Sequence, residues 1–384
     1  MNEETDAGDL ELRLARAYLL GVAEPPAAAL AELIAACGPV TAANRVREGD
    51  VSGAVAEETA ARRDRVVTAG DLAAAAENGA RLIIPEDDEW PAWPLLSLSV
   101  AAGRGVAGMT APLALWASGG GRLNHVVERA VTMVGARAAT GYGDHIAADW
   151  AYSLAAEGVT VFSGAAYGID AAAHRGALAA EGATVAVLGC ALDAGYPAGH
   201  DALLNRIADR GLVLSEYPPG TPPARHRFLV RNRLLSALSA ATAVVEADVR
   251  SGARNTANTA AMLGKVVLAV PGPITSRTSA GCHEMIRAQR ATLVTSADEV
   301  LEAVGALGVD LAREKPRPER PTDGLTGQAM KVHEALQARK GKSVEQVAVE
   351  SGVPASKVRA LLPALEMEGF SERCESGWRR ARSA

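Results

Sequence analysis

The segment from residue 225 to residue 233 concentrates side chains that bind phosphate. It reads RHRFLVRNR and places four arginines, one histidine and one asparagine around a single phenylalanine, Phe228. A guanidinium group stays charged at neutral pH and can hold a phosphate through two parallel hydrogen bonds. An aromatic ring beside it gives a base a stacking surface, worth about 1–3 kcal/mol per base in proteins that bind single strands. The segment therefore has the chemistry that single-stranded nucleic acid requires.

A run of charge is also typical of a solvated helix whose arginines pair with neighbouring carboxylates. The segment itself contains no acid, and Glu246 and Asp248 are the acidic residues that follow nearby. Arg250 and Arg254 add further positive charge after the next apolar run. The shortage of acids favours binding over ion pairing. Phe228 is expected to be partly buried, as most phenylalanines are.

Two glycine-rich turns each follow an apolar run and open a helical stretch. The first reads VGARAATGYG at 134–143, and the second reads FSGAAYGID at 162–170. Glycine lets the backbone come close to a ligand, and unpaired N–H groups at the start of a helix favour an anion. Ligands of open α/β sheets bind beyond the carboxyl ends of the strands, so two such turns predict a phosphate platform. The alternative is that the glycines only permit tight turns, since neither the GxGxxG fingerprint nor a Walker A lysine is present.

Asp170 and His174 lie four residues apart and would share one face of a helix, a spacing that suits an acid–base pair. Capping or polar packing is the preferred interpretation, because no nucleophile or metal site accompanies them. His283 and Glu284 are not followed by the second histidine of an HExxH zinc motif. The sequence therefore predicts a protein without catalytic residues, cofactor or metal site.

The elements that would position these residues begin at about residue 80, where short apolar runs start to alternate with helical stretches. The runs are 81–85, 113–116, 130–134, 159–162, 184–188, 212–214, 243–246, 266–270 and 292–294. This alternation predicts an α/β fold with a Rossmann-like, doubly wound and mainly parallel sheet. The continuous apolar character of the runs fits strands that are buried on both faces.

Two smaller domains are predicted around this core, which spans 81–308. Residues 1–80 have helical periodicity and predict a small helical domain. Residues 309–325 are rich in proline and charge and predict a linker. Residues 326–384 predict three helices followed by a short hairpin, which is the pattern of a winged-helix domain.

Composition limits the class of protein. The 384 residues carry a net charge of −6, so a nucleic-acid site must be a local concentration of positive charge. The four cysteines form no CxxC pair, which argues against a structural zinc site and against a secreted disulfide scaffold. The N terminus lacks the signal-peptide pattern, and no apolar run reaches the roughly 20 residues that span a bilayer. We therefore expect a soluble, cytoplasmic protein that does not enter a membrane.

An ordered series of motifs resembles the DprA/Smf family of DNA-processing proteins. The motifs are GAR with TGYG at 135–143, SGAAYGIDAAAHRGAL at 163–178, LGCALDAGYP at 188–197, LSEYPPGTPP at 214–223, RFLVRNRLLSALS at 227–239, SGARNTANTAAMLGK at 251–265 and AVPGPITSRTSAGCHEMI at 269–286. The flanks agree with this resemblance, because family members often carry a SAM-like or helix-hairpin-helix domain before a Rossmann-like core and a winged helix after it.

The resemblance implies a non-catalytic protein that binds and protects incoming single-stranded DNA and loads the RecA recombinase onto it during natural transformation. It also implies a homodimer formed through the core. The family motifs would assign DNA binding to Gly135, Arg137, Ser163, Gly164, Arg175, Arg225, Phe228, Arg231, Asn232 and Arg233. The sequence departs from the family pattern at Leu229, where proline is usual, at Arg175, where many relatives have lysine, and in the ARNT segment at 253–256.

Two other functions share this core. One is a nucleotide-binding sensor that holds a small phosphorylated ligand in the glycine turns. The other is an enzyme that resembles the lysine-decarboxylase-like phosphoribohydrolases, but their PGGxGTxxE motif is replaced here by VPGPITSRTSAGCHEM at 270–285. The third helix of the C-terminal domain is only modestly basic, so an auxiliary contact to DNA or protein is expected of it rather than duplex readout.

Overall fold

The computed structural model of the chain describes residues 3–305, 310, 312, 321–325 and 327–381. The chain forms two compact units, Met1–Ala312 and Arg313–Ala384. Most of the predicted linker, 309–325, lies outside the described residues. No helix in the described part of the chain combines the length and apolar composition needed to cross a bilayer.

Five helices come first in the larger unit. They are α1 (Glu3–Val22), α2 (Ala28–Cys37), α3 (Pro39–Glu48), α4 (Gly53–Thr59) and α5 (Ala69–Glu77). They share one hydrophobic cluster with the neighbouring sheet edge, where Tyr18 and Leu30 pack together with Leu82 and Trp116. The predicted domain boundary between residues 80 and 81 thus falls inside one compact unit. The division into a helical domain and a core domain stays a prediction.

A nine-stranded sheet forms the centre of this unit. Its strands are β1 (Ala80–Ile83), β2 (Leu115–Ser118), β3 (Ala130–Val134), β4 (Thr160–Ser163), β5 (Thr184–Leu188), β6 (Leu212–Ser215), β7 (Ala241–Val244), β8 (Val266–Ala269) and β9 (Thr292–Leu293). The order across the sheet is β1-β2-β6-β5-β4-β3-β7-β8-β9. The first two strands run antiparallel to their neighbours, and all other pairs are parallel. Every residue of β3 to β7 is buried, which confirms the prediction of a mainly parallel sheet covered on both faces.

Helices cover both faces of the sheet. They are α6 (Ala92–Gly103), α7 (Leu123–Val126), α8 (Gly141–Ala156), α9 (Ile169–Ala179), α10 (Asp201–Arg210), α11 (Arg225–Ala237), α12 (Gly252–Met262), α13 (Ala280–Arg287) and α14 (Ala297–Val304). Helices α6, α7, α11, α12 and α13 share one hydrophobic cluster with one face of the sheet. Helices α8, α9 and α14 share another hydrophobic cluster with the other face. The doubly wound arrangement is therefore confirmed.

The strand order reverses at β3. The chain runs outward from β3 through β4, β5 and β6, then returns so that β7 pairs with the other side of β3. The loops that follow β3 and β7 consequently leave the sheet in opposite directions. In open α/β sheets, the crevice between two such loops is the usual place for a ligand.

The smaller unit contains three helices and a hairpin. They are α15 (Gly327–Ala335), α16 (Val344–Ser351), α17 (Ala355–Met367), β10 (Ser371–Cys374) and β11 (Gly377–Arg380). A capping box between Ser343 and Gln346 begins the second helix. The unit has its own core, in which Val332, Leu362 and Trp378 are buried. The order of elements is the predicted one, and the winged-helix assignment stays a prediction.

The packing of α8 against α9 leads to a test of the fold. A Cβ added at Gly176 of α9 would lie 2.1 Å from the carbonyl oxygen of Ala148 in α8, so the two backbones meet there. We expect Gly176→Ala to lower the free energy of unfolding by about 1–3 kcal/mol. Gly141→Ala is the matched control, because its added Cβ would meet no atom within 4 Å. Urea unfolding measures both, and equal stability of the two variants would contradict the close approach.

Candidate nucleic-acid interface

A cavity of about 700 Å³ lies where the strand order reverses. The loops after β3 and β7 border it, together with the first parts of α11 and α12. Six of the ten residues that the sequence predicts for the site line it, namely Gly135, Arg137, Arg225, Phe228, Arg231 and Asn232. The arginine segment and the first glycine turn, about 90 residues apart in the chain, therefore share one site.

Three exposed arginines surround this cavity. Arg137 follows β3, Arg225 is the first residue of α11, and Arg250 lies in the loop after β7. Within the described ranges none of the three forms an ion pair, whereas the nearby Arg277 pairs with Asp248 at 2.5 Å. Three guanidinium groups without carboxylate partners give the cavity a positive rim that suits an anionic ligand. Arg250 was not among the predicted site residues, although its position after a strand end is visible in the sequence.

Phe228 provides the aromatic surface of the cavity and is half-buried, as expected. The Arg137 guanidinium carbon lies 5.7 Å from the centre of its ring. The ring of Tyr196 lies 5.1 Å away, centre to centre, at an interplanar angle of 37°. A Cβ at Gly189 would lie 2.6 Å from the Phe228 ring, so glycine is needed for the ring to occupy this place.

Arg231 has a different position from the exposed arginines, because its side chain is buried beneath the cavity. Its guanidinium donates to the carbonyl oxygen of Val187 and, at 3.2 Å, to the side-chain oxygen of Asn232. Asn232 in turn donates to the side chain of Asn255 at 3.1 Å. Burial lowers the pKa of Arg231, and the charge of Asp170 opposes that shift. These contacts make Arg231 and Asn232 the floor of the site.

One backbone amide of each glycine turn donates to a carboxylate of the chain. In the second turn, the Asp170 carboxylate accepts a hydrogen bond from Gly164 N–H at 3.1 Å. Burial raises the pKa of Asp170, while the charge of Arg231 and the backbone amides of Ala166, Gly164 and Gly135 oppose the increase.

In the first turn, the Glu246 carboxylate has the corresponding role. Its carboxylate accepts from Thr140 N–H at 2.9 Å, from the Thr140 hydroxyl at 2.7 Å and from the Thr278 hydroxyl at 3.0 Å. Glu246 thus holds the amide of Thr140, and Asp170 holds that of Gly164. The phosphate platform at the two turns stays a prediction.

Packing requires three of the glycines in the two turns. A Cβ at Gly135 would lie 2.4 Å from the side chain of Ile169, and one at Gly164 would lie 2.2 Å from the guanidinium of Arg231. A Cβ at Gly168, whose φ is +76°, would lie 2.3 Å from the carbonyl oxygen of Ala136. The alternative interpretation of the glycines, that they permit tight turns, accounts for these positions.

Three further predicted residues point their polar groups away from the cavity. Ser163 is buried and donates to the carbonyl oxygen of Met133 at 2.6 Å. Arg233 is buried in an ion pair with Glu216, whose oxygens lie 2.7 and 2.6 Å from its two terminal nitrogens. Arg175 is exposed and pairs with Asp144 at 3.2 Å. As direct DNA contacts these three residues are the least supported, and Ser163 and Arg233 act in packing.

Asp170 and His174 form hydrogen bonds to different parts of the protein. His174 is buried, and its Nδ1 lies 2.7 Å from the hydroxyl of Thr184. Burial lowers the pKa of His174 to about 3, so the ring is neutral at physiological pH. The preferred interpretation, polar packing, is the one these contacts support. The described part of the chain also holds no group of histidine, cysteine or acidic side chains arranged for a metal ion.

Glu24 is a site-supporting residue that sequence reasoning missed. It lies between α1 and α2 and accepts from Arg227 at 2.6 Å, from Arg62 at 2.6 Å and from the His226 ring at 3.2 Å. These bonds connect the N-terminal helices to the start of α11, which carries Arg225. No local signal could have identified this contact, because Glu24 precedes Arg227 by 203 residues.

The architecture and the cavity together define a class, the doubly wound α/β proteins with a basic, aromatic-lined cavity where the strand order reverses. Residues 81–305 match the family of DNA recombination-mediator protein A. The chain therefore belongs to this family, and the resemblance of its motifs to DprA/Smf proteins is confirmed.

Individual relatives extend the similarity over most of the chain. The putative DNA processing protein DprA of Mycobacterium tuberculosis is 51% identical over 367 residues, which cover 96% of this chain and 94% of that protein. The protein Smf of Escherichia coli is 35% identical over 268 residues, covering 69% and 71%. The X-ray structure of DNA processing protein A from Streptococcus pneumoniae superposes with a TM-score of 0.61 at 28% identity, covering 77% of this chain and 98% of that one.

The Glu24 contacts predict a pH dependence of stability. Burial disfavours the Glu24 carboxylate, but the hydrogen bonds from Arg227, Arg62 and His226 outweigh it and lower its pKa to about 2. A carboxyl whose folded pKa lies below its unfolded value of about 4.3 stabilises the protein above that value and loses the effect as pH falls. We expect Glu24→Gln to lower the melting temperature at neutral pH and the difference from wild type to shrink between about pH 4.3 and pH 2. A difference that does not change across this range would contradict the assignment.

The Arg233–Glu216 pair predicts a large effect on stability. Removing one partner leaves a buried charge without compensation, which costs about 3–5 kcal/mol. We expect Arg233→Met to lose about this much free energy of unfolding and the double change Arg233→Met/Glu216→Leu to recover most of it. Arg225→Met, on the exposed first turn of α11, is the matched control and should change stability by less than about 0.5 kcal/mol. Equal stabilities of the two single variants in urea would refute the pairing.

Proposed function

We propose that this protein binds single-stranded DNA in the cavity and acts there as a non-catalytic mediator of recombination. The observation that carries the proposal is the placement of Arg137, Arg225 and Arg250, exposed and without ion-pair partners among the described residues, around the half-buried ring of Phe228. Guanidinium groups bind the backbone phosphates, and the ring stacks on a base.

Stacking requires a base that is not already stacked in a duplex, which favours single strands over double strands. Every base has a π-face, so binding of this kind tolerates any sequence. Because the phosphates carry the electrostatic part of the affinity, binding weakens steeply as salt concentration rises. Since the net charge is −6, this attraction must come from a local concentration of positive charge such as the arginines at the cavity.

The wider role follows from the family to which the chain belongs. We infer that the protein protects single-stranded DNA and delivers it to the RecA recombinase in natural transformation or another recombination process. A cytoplasmic location and a homodimer formed through the core belong to the same proposal.

A nucleotide-binding sensor is the second candidate, and the size of the cavity favours it. Small-molecule pockets usually enclose about 300–1,000 Å³, a range that includes this cavity of about 700 Å³. A nucleoside phosphate could place its base on Phe228 and its phosphate against Arg137. A phosphoribohydrolase-like enzyme has less support, because the carboxylate of Asp170 is buried and accepts a hydrogen bond from Gly164 N–H.

Fluorescence anisotropy with labelled oligo-dT and the matching duplex tests the main proposal. We expect preferential single-strand binding by wild type, and a loss of about tenfold or more for each of Arg137→Ala and Arg225→Ala, because each removes a charge-assisted contact. Each change should also reduce the slope of log affinity against log salt by about 0.7.

Arg210→Ala is the control for this experiment, because Arg210 is an exposed arginine that does not line the cavity. Its affinity should equal that of wild type. If wild type binds no oligonucleotide, or if the cavity variants bind as tightly as wild type, the proposal is wrong. A rise in melting temperature with mononucleotides but not with oligonucleotides would then favour the sensor.

A further inference from the structure

A second aromatic pair lies beside the cavity and is not used by the site described above. The rings of Tyr167 and His200 meet edge to face, with their centres 4.6 Å apart at 68°. The Tyr167 hydroxyl donates to the carbonyl oxygen of Ala198, and His200 Nδ1 lies 2.9 Å from the carbonyl oxygen of Ala165. These bonds hold both rings in place, yet the Tyr167 side chain remains 49% exposed.

Two connections along the chain place this pair near the Phe228 ring. Tyr167 directly follows Ala166, which lines the cavity. Tyr196, whose ring packs on Phe228, lies in the same loop as His200. We name Phe228, Tyr196, Tyr167 and His200 the aromatic row.

The loop that carries part of the aromatic row is itself anchored. Ala191 N–H donates to the carbonyl oxygen of Thr221 at 3.0 Å, and the Asp193 carboxylate accepts from Gly220 N–H at 3.1 Å. The carboxylate of Asp193 is thereby engaged with the backbone. The rings thus belong to a fixed surface that needs little ordering when a ligand arrives.

Aromatic residues are scarce in this chain, so their clustering is informative. The whole sequence has three phenylalanines and six tyrosines, and three of these nine rings belong to the aromatic row. Tyr167 is half exposed, and its hydroxyl is held by the backbone. An accessible aromatic ring stacks on any base and contributes about 1–3 kcal/mol.

We propose that the aromatic row is a second base-stacking platform. A strand whose base stacks on Phe228 continues past Tyr196, and a later base stacks on Tyr167. His200 supports the Tyr167 ring through their edge-to-face contact. This inference rests on the proposed binding of single-stranded DNA, and it adds that Tyr167 contacts only strands long enough to reach it.

Affinity as a function of oligo-dT length tests the platform, with lengths from about 4 to about 16 nucleotides. We expect Tyr167→Ala to bind the shortest oligonucleotides as wild type does and the longest about tenfold more weakly. Tyr167→Phe, which keeps the ring and removes the hydroxyl, should behave like wild type. Tyr152→Ala is the matched control, since Tyr152 is also 49% exposed and does not line the cavity.

Photocrosslinking of the wild-type protein is an independent test of the platform, because it requires no substitution. A single 5-iododeoxyuridine is moved along the longest oligonucleotide, and the cross-linked residue is identified by mass spectrometry. We expect one position to cross-link to Phe228 and a position farther along the strand to cross-link to Tyr167.

The outcomes separate this inference from the function on which it rests. An equal loss of affinity for Tyr167→Ala at all lengths would indicate that the ring only supports the loop. No loss of affinity at any length, or no cross-link to Tyr167, would also overturn the platform. Each of these outcomes would leave binding at Phe228 intact. No binding by wild type at any length would overturn both.

Discussion

The buried guanidinium of Arg231 is the constraint around which the site is arranged. A buried charge is costly unless hydrogen bonds and an opposite charge compensate it. The Val187 carbonyl, the Asn232 side chain and the charge of Asp170 provide this compensation. Gly164 leaves the space that the guanidinium fills. The ends of β4 and β5 and the middle of α11 are thus brought to one point, and the cavity opens above it.

The arginines of the RHRFLVRNR segment divide into two groups by their position on α11. Arg227, Arg231 and Arg233 are buried and have partners within the protein, respectively Glu24, the Val187 carbonyl and Glu216. Arg225 is exposed at the first turn and joins Arg137 and Arg250 at the rim of the cavity. The buried group determines where the helix lies, and the exposed group provides the charge that an anionic strand would meet. This division also explains how a protein of net charge −6 can present a positive site.

The two carboxylates at the glycine turns have a related consequence. Helix starts attract anions, and in this protein Glu246 bonds to Thr140, the residue that caps the start of α8. Asp170 bonds to Gly164 in the second turn. Both bonds form without a ligand, and the bond to Thr140 helps to hold the backbone of the turn that carries Arg137.

The sequence by itself determined the class of fold, because continuous apolar strands and alternating helices are local patterns that only a covered parallel sheet can bury. It also identified the segment that carries the site, since charge and aromatic content are local as well. The tertiary structure decided which of these residues face the cavity. Arg227 depends on Glu24, 203 residues away, and the Thr140 amide of the first turn depends on Glu246, 106 residues away. Partners so distant in the chain leave no trace in the local pattern, because hydrogen bonds and ion pairs form between groups that folding brings together, whatever their separation in sequence.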